Sequence, residues 1–322
     1  MHLFIWLSFA LGMALLAGLC LHGGNYVRRT LPGAAQPPEH HAGADCNSTA
    51  APTPKVAVII PLTGNHPAMP QSLQSLLHQD YPDYELILVT QDLSDPATGL
   101  VREVLLSAPI PIRHVLSGPA VSCAQKNHNL LAGLQAVSPE AVILVFCDGT
   151  HTAAPDFLTS LTAPLRLGEA ALATGFHRLI PGDHRLATVG LLITLLAIHL
   201  LHGYPRLVQP WGGATAILRR VFDHQGLARV WAGAVVDDVS LALHLARAGL
   251  RVKAVPGATL STYAAGLTCR RWIDWLTRQI LYVKFFMPFS WLAAAVAVYL
   301  LVGPVILAIL TVSGGMTGLT AP

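Results

Sequence analysis

The sequence predicts an α/β domain on a mainly parallel sheet with helices on both faces, framed by an apolar segment at each end. Three observations carry that reading. Short apolar runs alternate with helical-period stretches between residues 55 and 150, both ends carry long uncharged runs, and only 11% of the 322 residues are charged. Parallel strands joined by crossover helices are buried on both faces, so they read as continuous apolar runs rather than as alternation.

The first strand is Val56-Ala-Val-Ile-Ile60, closed by Pro61 and the Gly64-Asn65 turn. Leu73, Leu76 and Leu77 then recur at helical spacing, and Asp80-Tyr-Pro82 stops that helix because the residue before a proline disfavours helical backbone. Glu85 to Thr90 reads as a second strand, residues 95–107 as a helix, and Pro111 to Leu116 as a third strand. A helix from about Ala124 to Val137 precedes a fourth strand, Ala141 to Cys147. Ligands of such sheets bind beyond the carboxyl ends of the strands, so chemistry is expected there.

Hydrophobic residues make up 53% of the chain, and its charged fraction is less than half the ~25% usual in soluble domains. This composition excludes a disordered chain, a coiled coil and a highly charged nucleic-acid binder. Cys20, Cys46, Cys123, Cys147 and Cys269 form no CxxC pair, and the fifteen histidines show no HExxH spacing. The histidines therefore read as surface or packing residues.

Leu3 to Leu21 is uncharged, and as a helix it reaches roughly 28 Å, close to a bilayer's hydrocarbon thickness. No basic residue precedes it and Arg28 and Arg29 follow, which favours an uncleaved anchor over a signal peptide and places the following chain in the cytoplasm. At the far end Lys284 is the last charged residue, and Phe289 to Val312 is long enough to cross. Arg270, Arg271, Arg278 and Lys284 lie just before it, on the same presumed side. The expected division is an N-terminal transmembrane anchor (1–27), a Pro/Ala-rich linker (28–54), the α/β domain (55–285) and a C-terminal transmembrane segment (286–322).

Among only seventeen acidic residues, Asp92 follows the second strand, Asp148 follows the fourth, and Asp237-Asp238 opens a helical stretch to Arg247. Each has an ordinary explanation as turn or helix-cap chemistry. Together they can converge on one crevice, hold a nucleotide and a divalent cation, and supply a general base. Lys126-Asn-His-Asn129 adds a cation and amides toward the same end, unless it is simply an exposed helix face.

Ser72 to Glu85 resembles the SL..Q.YP.YE segment of glycosyltransferase family 2 enzymes. Thr90-Gln-Asp-Leu-Ser-Asp-Pro-Ala97, Lys126-Asn-His-Asn129 and Phe146-Cys-Asp-Gly149 extend the resemblance toward the ceramide glucosyltransferase and hopanoid-associated branch, over roughly residues 55–285. The resemblance implies a GT-A nucleotide-diphospho-sugar transferase fold and an inverting transfer. It implies Asp92 at the nucleotide, Asp148 as ligand of Mg2+ or Mn2+, and Asp238, beside Asp237, as the base. Trp211-Gly-Gly-Ala-Thr-Ala216 matches the family's glycine-containing strand, where Gly212 and Gly213 let backbone approach the donor sugar. Lys126 and Asn129 join the implied binding residues.

The family's closing (Q/R)xxRW motif is altered. Thr268-Cys-Arg-Arg-Trp-Ile-Asp-Trp275 aligns either as Arg271-x-x-Asp274-Trp275, the preferred register, or as Thr268-x-x-Arg271-Trp272. Arg271, Trp272 and Trp275 are the implied contacts near diphosphate and acceptor, and an aspartate does not replace an arginine there. The same stretch also reads as a basic amphipathic helix at a membrane surface. Leu186 to Leu201 is almost wholly apolar, but a single crossing there would part Asp148 from Asp238. It is therefore expected to be an interfacial or buried helix.

The combined expectation is a membrane-anchored glycosyltransferase moving a hexose from a nucleotide-sugar, by resemblance a UDP-sugar, to a lipid such as ceramide, hopanoid or diacylglycerol, without nucleic-acid partners. The alternatives are a polysaccharide synthase and a non-catalytic nucleotide- or lipid-binding scaffold.

Overall fold

An apolar run without proline folds as the first helix, α1 (His2–Arg28), in the computed structural model, which describes residues 2–30 and 53–318. Most of the expected linker, with Cys46, lies outside the described residues. Within α1, Ala10–Arg28 is, among the described residues, the one helix long and apolar enough to cross a membrane.

The domain then runs β1 (Val56–Pro61), α2 (Met69–Leu77), β2 (Tyr84–Thr90), α3 (Ala97–Ser107), β3 (Ile112–Leu116), α4 (Gln125–Gln135) and β4 (Ile143–Cys147). These are the expected elements, shifted or trimmed by a few residues at their ends. Beyond them come α5 (Phe157–Arg166), β5 (Leu172–Pro181), α6 (Leu186–Leu201), β6 (Ala214–Leu218), α7 (Arg219–His224), α8 (Leu227–Ala232) and α9 (Asp237–Arg247). The chain closes with β7 (Lys253–Ala264), α10 (Cys269–Phe286) and α11 (Pro288–Gly318).

The seven strands form one sheet in the order β3-β2-β1-β4-β6-β5-β7. Pairing is parallel from β3 to β4 and again between β5 and β7, while β6 runs antiparallel to both β4 and β5. The sheet is thus mostly parallel, as expected, with one reversed strand at its centre. Alternate residues of β1 enter opposite cores. Val56, Val58 and Ile60 meet Leu73, Leu76, Val101 and Phe157, whereas Ala57 and Ile59 meet Leu130, Phe146, Trp231 and Leu241. Two-sided burial is why these strands contain no polar alternation.

Helix α4 lies unusually close to the sheet because Gly133 faces it. A β-carbon there would stand 2.6 Å from Ile59 Cγ2 and 3.0 Å from Val89 Cγ2. Helix α6, at 16 residues, is shorter than a span. It packs against β5, α1 and α10, burying Ala187, Leu195 and His199 while turning Leu186, Val189, Ile193 and Leu196 outward. Its end meets α1 closely, since a β-carbon on Gly23 would lie 2.3 Å from the Leu200 carbonyl oxygen. Tyr204 Oη donates to the Gly18 carbonyl at 2.7 Å, and Arg178 Nη1 donates to the Thr30 carbonyl at 3.2 Å. Helix α11 packs along α1, but its described apolar stretch, Pro288–Leu300, is shorter than a span. The expected C-terminal crossing therefore has no support from the described residues.

Replacing Gly133 by leucine should overpack the α4–sheet contact and destabilise the fold by about 1–3 kcal/mol. Thermal unfolding of the purified chain would show this as a lowered midpoint, and an unchanged midpoint would contradict the close approach.

Candidate active site

Strand β4 ends at Cys147, and Asp148 is the first residue past the sheet, its amide donating to the Gly213 carbonyl at 3.4 Å. Lys126, the second residue of α4, reaches across the strand ends. Its Nζ stands 2.8 Å from Asp148 Oδ1 and 2.9 Å from Asp237 Oδ2 at the start of α9. Burial works against the Lys126 charge, yet Asp148, Asp237 and Asp238 outweigh it and raise the pKa, so the ammonium stays protonated.

The neighbour of Lys126 positions the acids. Asn127 is fully buried, and its amide donates to the Ala234 carbonyl at 3.0 Å and the Trp231 carbonyl at 3.4 Å. Trp231 Nε1 in turn donates to the Asp237 carbonyl at 3.1 Å. One turn of α4 thus supplies a cation to the carboxylates and pins the α8–α9 connection that delivers two of them.

Asp238 accepts from its neighbour Val239 N at 2.7 Å and from Gly212 N at 3.3 Å. Burial, then the adjacent Asp237 charge, pushes its pKa up to about 6, while Lys126 and the two amides hold it down. A carboxylate so poised takes up and releases a proton near neutrality, as a general base must.

Gly212 and Gly213 form a turn just before β6 rather than part of a strand, which corrects the expectation for this segment. The close approach is real. A β-carbon on Gly212 would lie 2.2 Å from Asp237 Oδ2 and 2.9 Å from Lys126 Nζ, and one on Gly213 would lie 2.3 Å from the Trp211 ring. Trp211 stacks on His177 with centroids 4.7 Å apart and 7° between planes. Thr262 Oγ1 joins His177 Nδ1 at 2.6 Å to His151 Nδ1 at 2.7 Å, and His151 Nε2 lies 3.9 Å from Asp148 Oδ2. Burial lowers the His151 pKa despite the nearby Asp148 charge. The sequence reading passed over His151 as an ordinary histidine. Its signal was its place three residues after the aspartate that ends β4.

The structure therefore brings Lys126, Asp148, Asp237, Asp238 and Gly212 into one cluster, with Gly213 behind it. The other expected residues lie elsewhere or face inward. Asp92 closes its own turn after β2, accepting from Ser94 N at 2.8 Å, Ser94 Oγ at 2.5 Å and Asp95 N at 3.2 Å. Those bonds lower its pKa, the Ser94 hydroxyl most. Asn129 is buried, and its carbonyl oxygen accepts from Ser117 Oγ and Gln125 Nε2, both at 2.7 Å, which braces the β3–α4 loop. Arg271 is exposed in the first turn of α10, where Thr268 caps its amide. The Trp272 ring lies on Gly190 of α6, and Trp275 packs with Phe176, Leu179 and Leu195. Asp274 is exposed, 3.9 Å from Arg270.

Among the described residues no group of three or more His, Cys, Asp or Glu side chains is arranged to hold a metal ion. Asp148 offers a partly exposed carboxylate, whose Oδ1 meets Lys126 and whose Oδ2 lies 3.9 Å from His151 Nε2. That donor set fits a cation shared with a ligand's phosphate oxygens, the arrangement usual for Mg2+. It does not fit an all-protein cage.

Carboxyl-labelled NMR of the chain in detergent should show one aspartate titrating near pH 6 and absent from Asp238→Asn. Lys126→Met removes an influence that lowers this pKa, so the midpoint should move upward. A midpoint that stays put or falls would contradict the electrostatic assignment.

A mannosyltransferase from Pyrobaculum calidifontis, solved with GDP-mannose and Mn2+, matches at a TM-score of 0.55 and 17% identity, covering 98% of this chain and 93% of its own. At that identity the likeness is one of fold. A glucosyl-3-phosphoglycerate synthase from Mycobacterium tuberculosis, solved with UDP-glucose and Mn2+, matches at 0.46 and 20% identity, covering 71% of this chain and 77% of its own. The Pyrobaculum match makes the fold the GT-A glycosyltransferase fold. The family model for glycosyl transferase family 21 matches residues 31–320. The motifs were read as resembling family 2 enzymes, and it is to glycosyl transferase family 21 that this chain belongs.

Proposed function

We propose that this chain transfers a hexose from a nucleoside-diphosphate donor, a UDP-sugar in the first instance, to the hydroxyl of a membrane lipid of the ceramide, hopanoid or diacylglycerol type, with inversion. The observation that carries the reading is the convergence of Asp148, Lys126 and Asp237 beside Asp238 at the end of β4. The Mn2+ and nucleotide-sugar in the Pyrobaculum structure support the donor class and the cation.

In this reading Asp238 accepts the proton of the acceptor hydroxyl as that oxygen attacks the anomeric carbon. Gly212 N orients the carboxylate for the transfer, and the missing side chain at Gly212 lets Asp237 and Lys126 close against the backbone beside it. Asp148 takes the cation, which when bound offsets the charge growing on the leaving diphosphate. Lys126 is the second positive charge near that phosphate. One ammonium against three carboxylates leaves the cluster negative, so a divalent cation is its natural counter-charge. Asp92, at the end of β2, is assigned to the nucleotide.

The membrane assignment rests on α1, on the basic residues that flank both apolar ends, and on the outward apolar stripe of α6. The domain is assigned to the cytoplasmic side. Helix α11 is the second proposed anchor, with α10 lying along the surface through the exposed Ile273, Ile280 and Leu281 and its arginines, since Trp272 and Trp275 pack inward instead.

Membranes containing the chain should form a labelled glycolipid from one UDP-sugar with Mg2+ or Mn2+ and lose that product on chelation. Asp238→Asn should lower turnover by roughly 10²–10⁴ while donor binding persists. The wild-type rate should rise with pH through about 6 and then level off, because the base acts only when deprotonated. Metal-dependent UDP binding with no product from any donor would overturn the enzyme reading in favour of a scaffold.

A further inference from the structure

The segment that leads into the glycine turn and the far end of α9 enclose a cavity of about 340 Å3 that the transfer reaction does not use. Val208, Leu245 and Leu250 give it an apolar wall, Arg206 and Arg251 stand at it, and no acidic residue lines it. Both arginines are exposed, and among the described residues neither has a carboxylate within ion-pair distance. A helix carboxyl end would ordinarily disfavour an anion. Here it is closed, with Ala248 N donating to the His244 carbonyl at 3.0 Å and Leu250 N to the Leu245 carbonyl at 2.9 Å around Gly249 at φ +69°.

The cavity's place relative to α1 identifies its ligand. Tyr204 Oη donates to the Gly18 carbonyl, three residues before the apolar run ends at Leu21, or about 4–5 Å along the helix. Tyrosine sits characteristically at that boundary, and Arg206, two residues on, then lies at the depth of lipid phosphates. Leu207 between them is half exposed. Two guanidinium groups over an apolar wall match a phosphate with hydrocarbon attached, whereas a free phosphate would leave most of the volume unfilled.

We propose that Arg206 and Arg251 bind the phosphate headgroup of an anionic membrane lipid, a site separate from donor and acceptor. The proposal rests on reading α1 as a membrane helix. The site is coupled to the chemistry by the chain itself. Its first wall continues into Trp211 and Gly212, and its second is the helix that begins with Asp237 and Asp238. Occupancy holds both in place.

The test is photolabelling of the full chain in phosphatidylcholine vesicles containing a minor fraction of photoactivatable phosphatidylglycerol, followed by peptide mapping. Label should concentrate on residues 205–210 and 242–252 and be competed by unlabelled phosphatidylglycerol. Arg206→Gln with Arg251→Gln should reduce it roughly tenfold, the loss expected for charge-assisted hydrogen bonds, with flotation on vesicles unchanged. Arg270→Gln with Arg278→Gln should leave it intact. Label spread evenly over the basic surface, or unaffected by the first pair of substitutions, would overturn the site. Displacement by millimolar inorganic phosphate as effective as that by the lipid would overturn the lipid assignment. A chain that floats with no vesicle would overturn the membrane reading and this site with it. None of these readouts uses sugar transfer, so failure of the glycosyltransfer reading is recorded separately.

Discussion

Two carboxylates drawn to the same strand end repel one another. At about 4 Å and an effective dielectric near 20, that repulsion is on the order of 4 kcal/mol, comparable with a large part of a domain's net stability. Lys126 reverses the sign by standing within 3 Å of both Asp148 and Asp237. Much else follows from where that ammonium has to be. Helix α4 must lie tight on the sheet, which Gly133 permits, and the α8–α9 connection must be pinned to the same helical turn, which Asn127 does. The backbone between Trp211 and Ala214 must pass without a side chain through the space left between lysine and aspartate.

The same constraint explains which parts of the molecule the sequence revealed. Strands β1 to β4 were legible because burial on both faces leaves uninterrupted apolar runs such as Val56 to Ile60. Strands β5 and β7 were not. Gly175 sits at an irregularity in their pairing, and Pro256, Gly257 and a series of hydroxyl residues break the pattern of β7. Asp148 and Asp237 could be picked out by position, since one follows a strand and the other opens a helix. That Lys126 lies toward the same end was also legible, whereas its pairing with both acids at once was not, because that depends on β6 inserting beside β4 in the reverse direction. Asn129 shows the opposite case. It belongs to a recognisable segment, yet its side chain braces a loop.

A line of rings runs away from this cluster toward the first helix. Trp211 lies on His177, Phe176 lies 5.4 Å from Trp211 and 4.9 Å from both His199 and His202, and Tyr26 of α1 closes the series at 5.6 and 5.9 Å from those two histidines. Burial pushes the pKa of His199 to about 3 and of His202 to about 4, so this junction is neutral across the physiological range. Aromatic packing, rather than charge, therefore connects the strand ends to the helix at the amino terminus.

That connection changes what kind of attachment α1 is. Gly23 against Leu200, Tyr204 bonded to Gly18 and Arg178 bonded to Thr30 make the helix a packed element of the domain. A leash would let the strand-end cluster wander over a range of heights and tilt. If α1 enters a membrane as proposed, a helix wedged into the fold acts instead as a ruler, setting one elevation for Asp238 above that plane. Under the proposed role of Asp238 as base, selection among acceptors is then partly a matter of altitude, since a hydroxyl presented at that level meets the base and one held deeper or farther out does not.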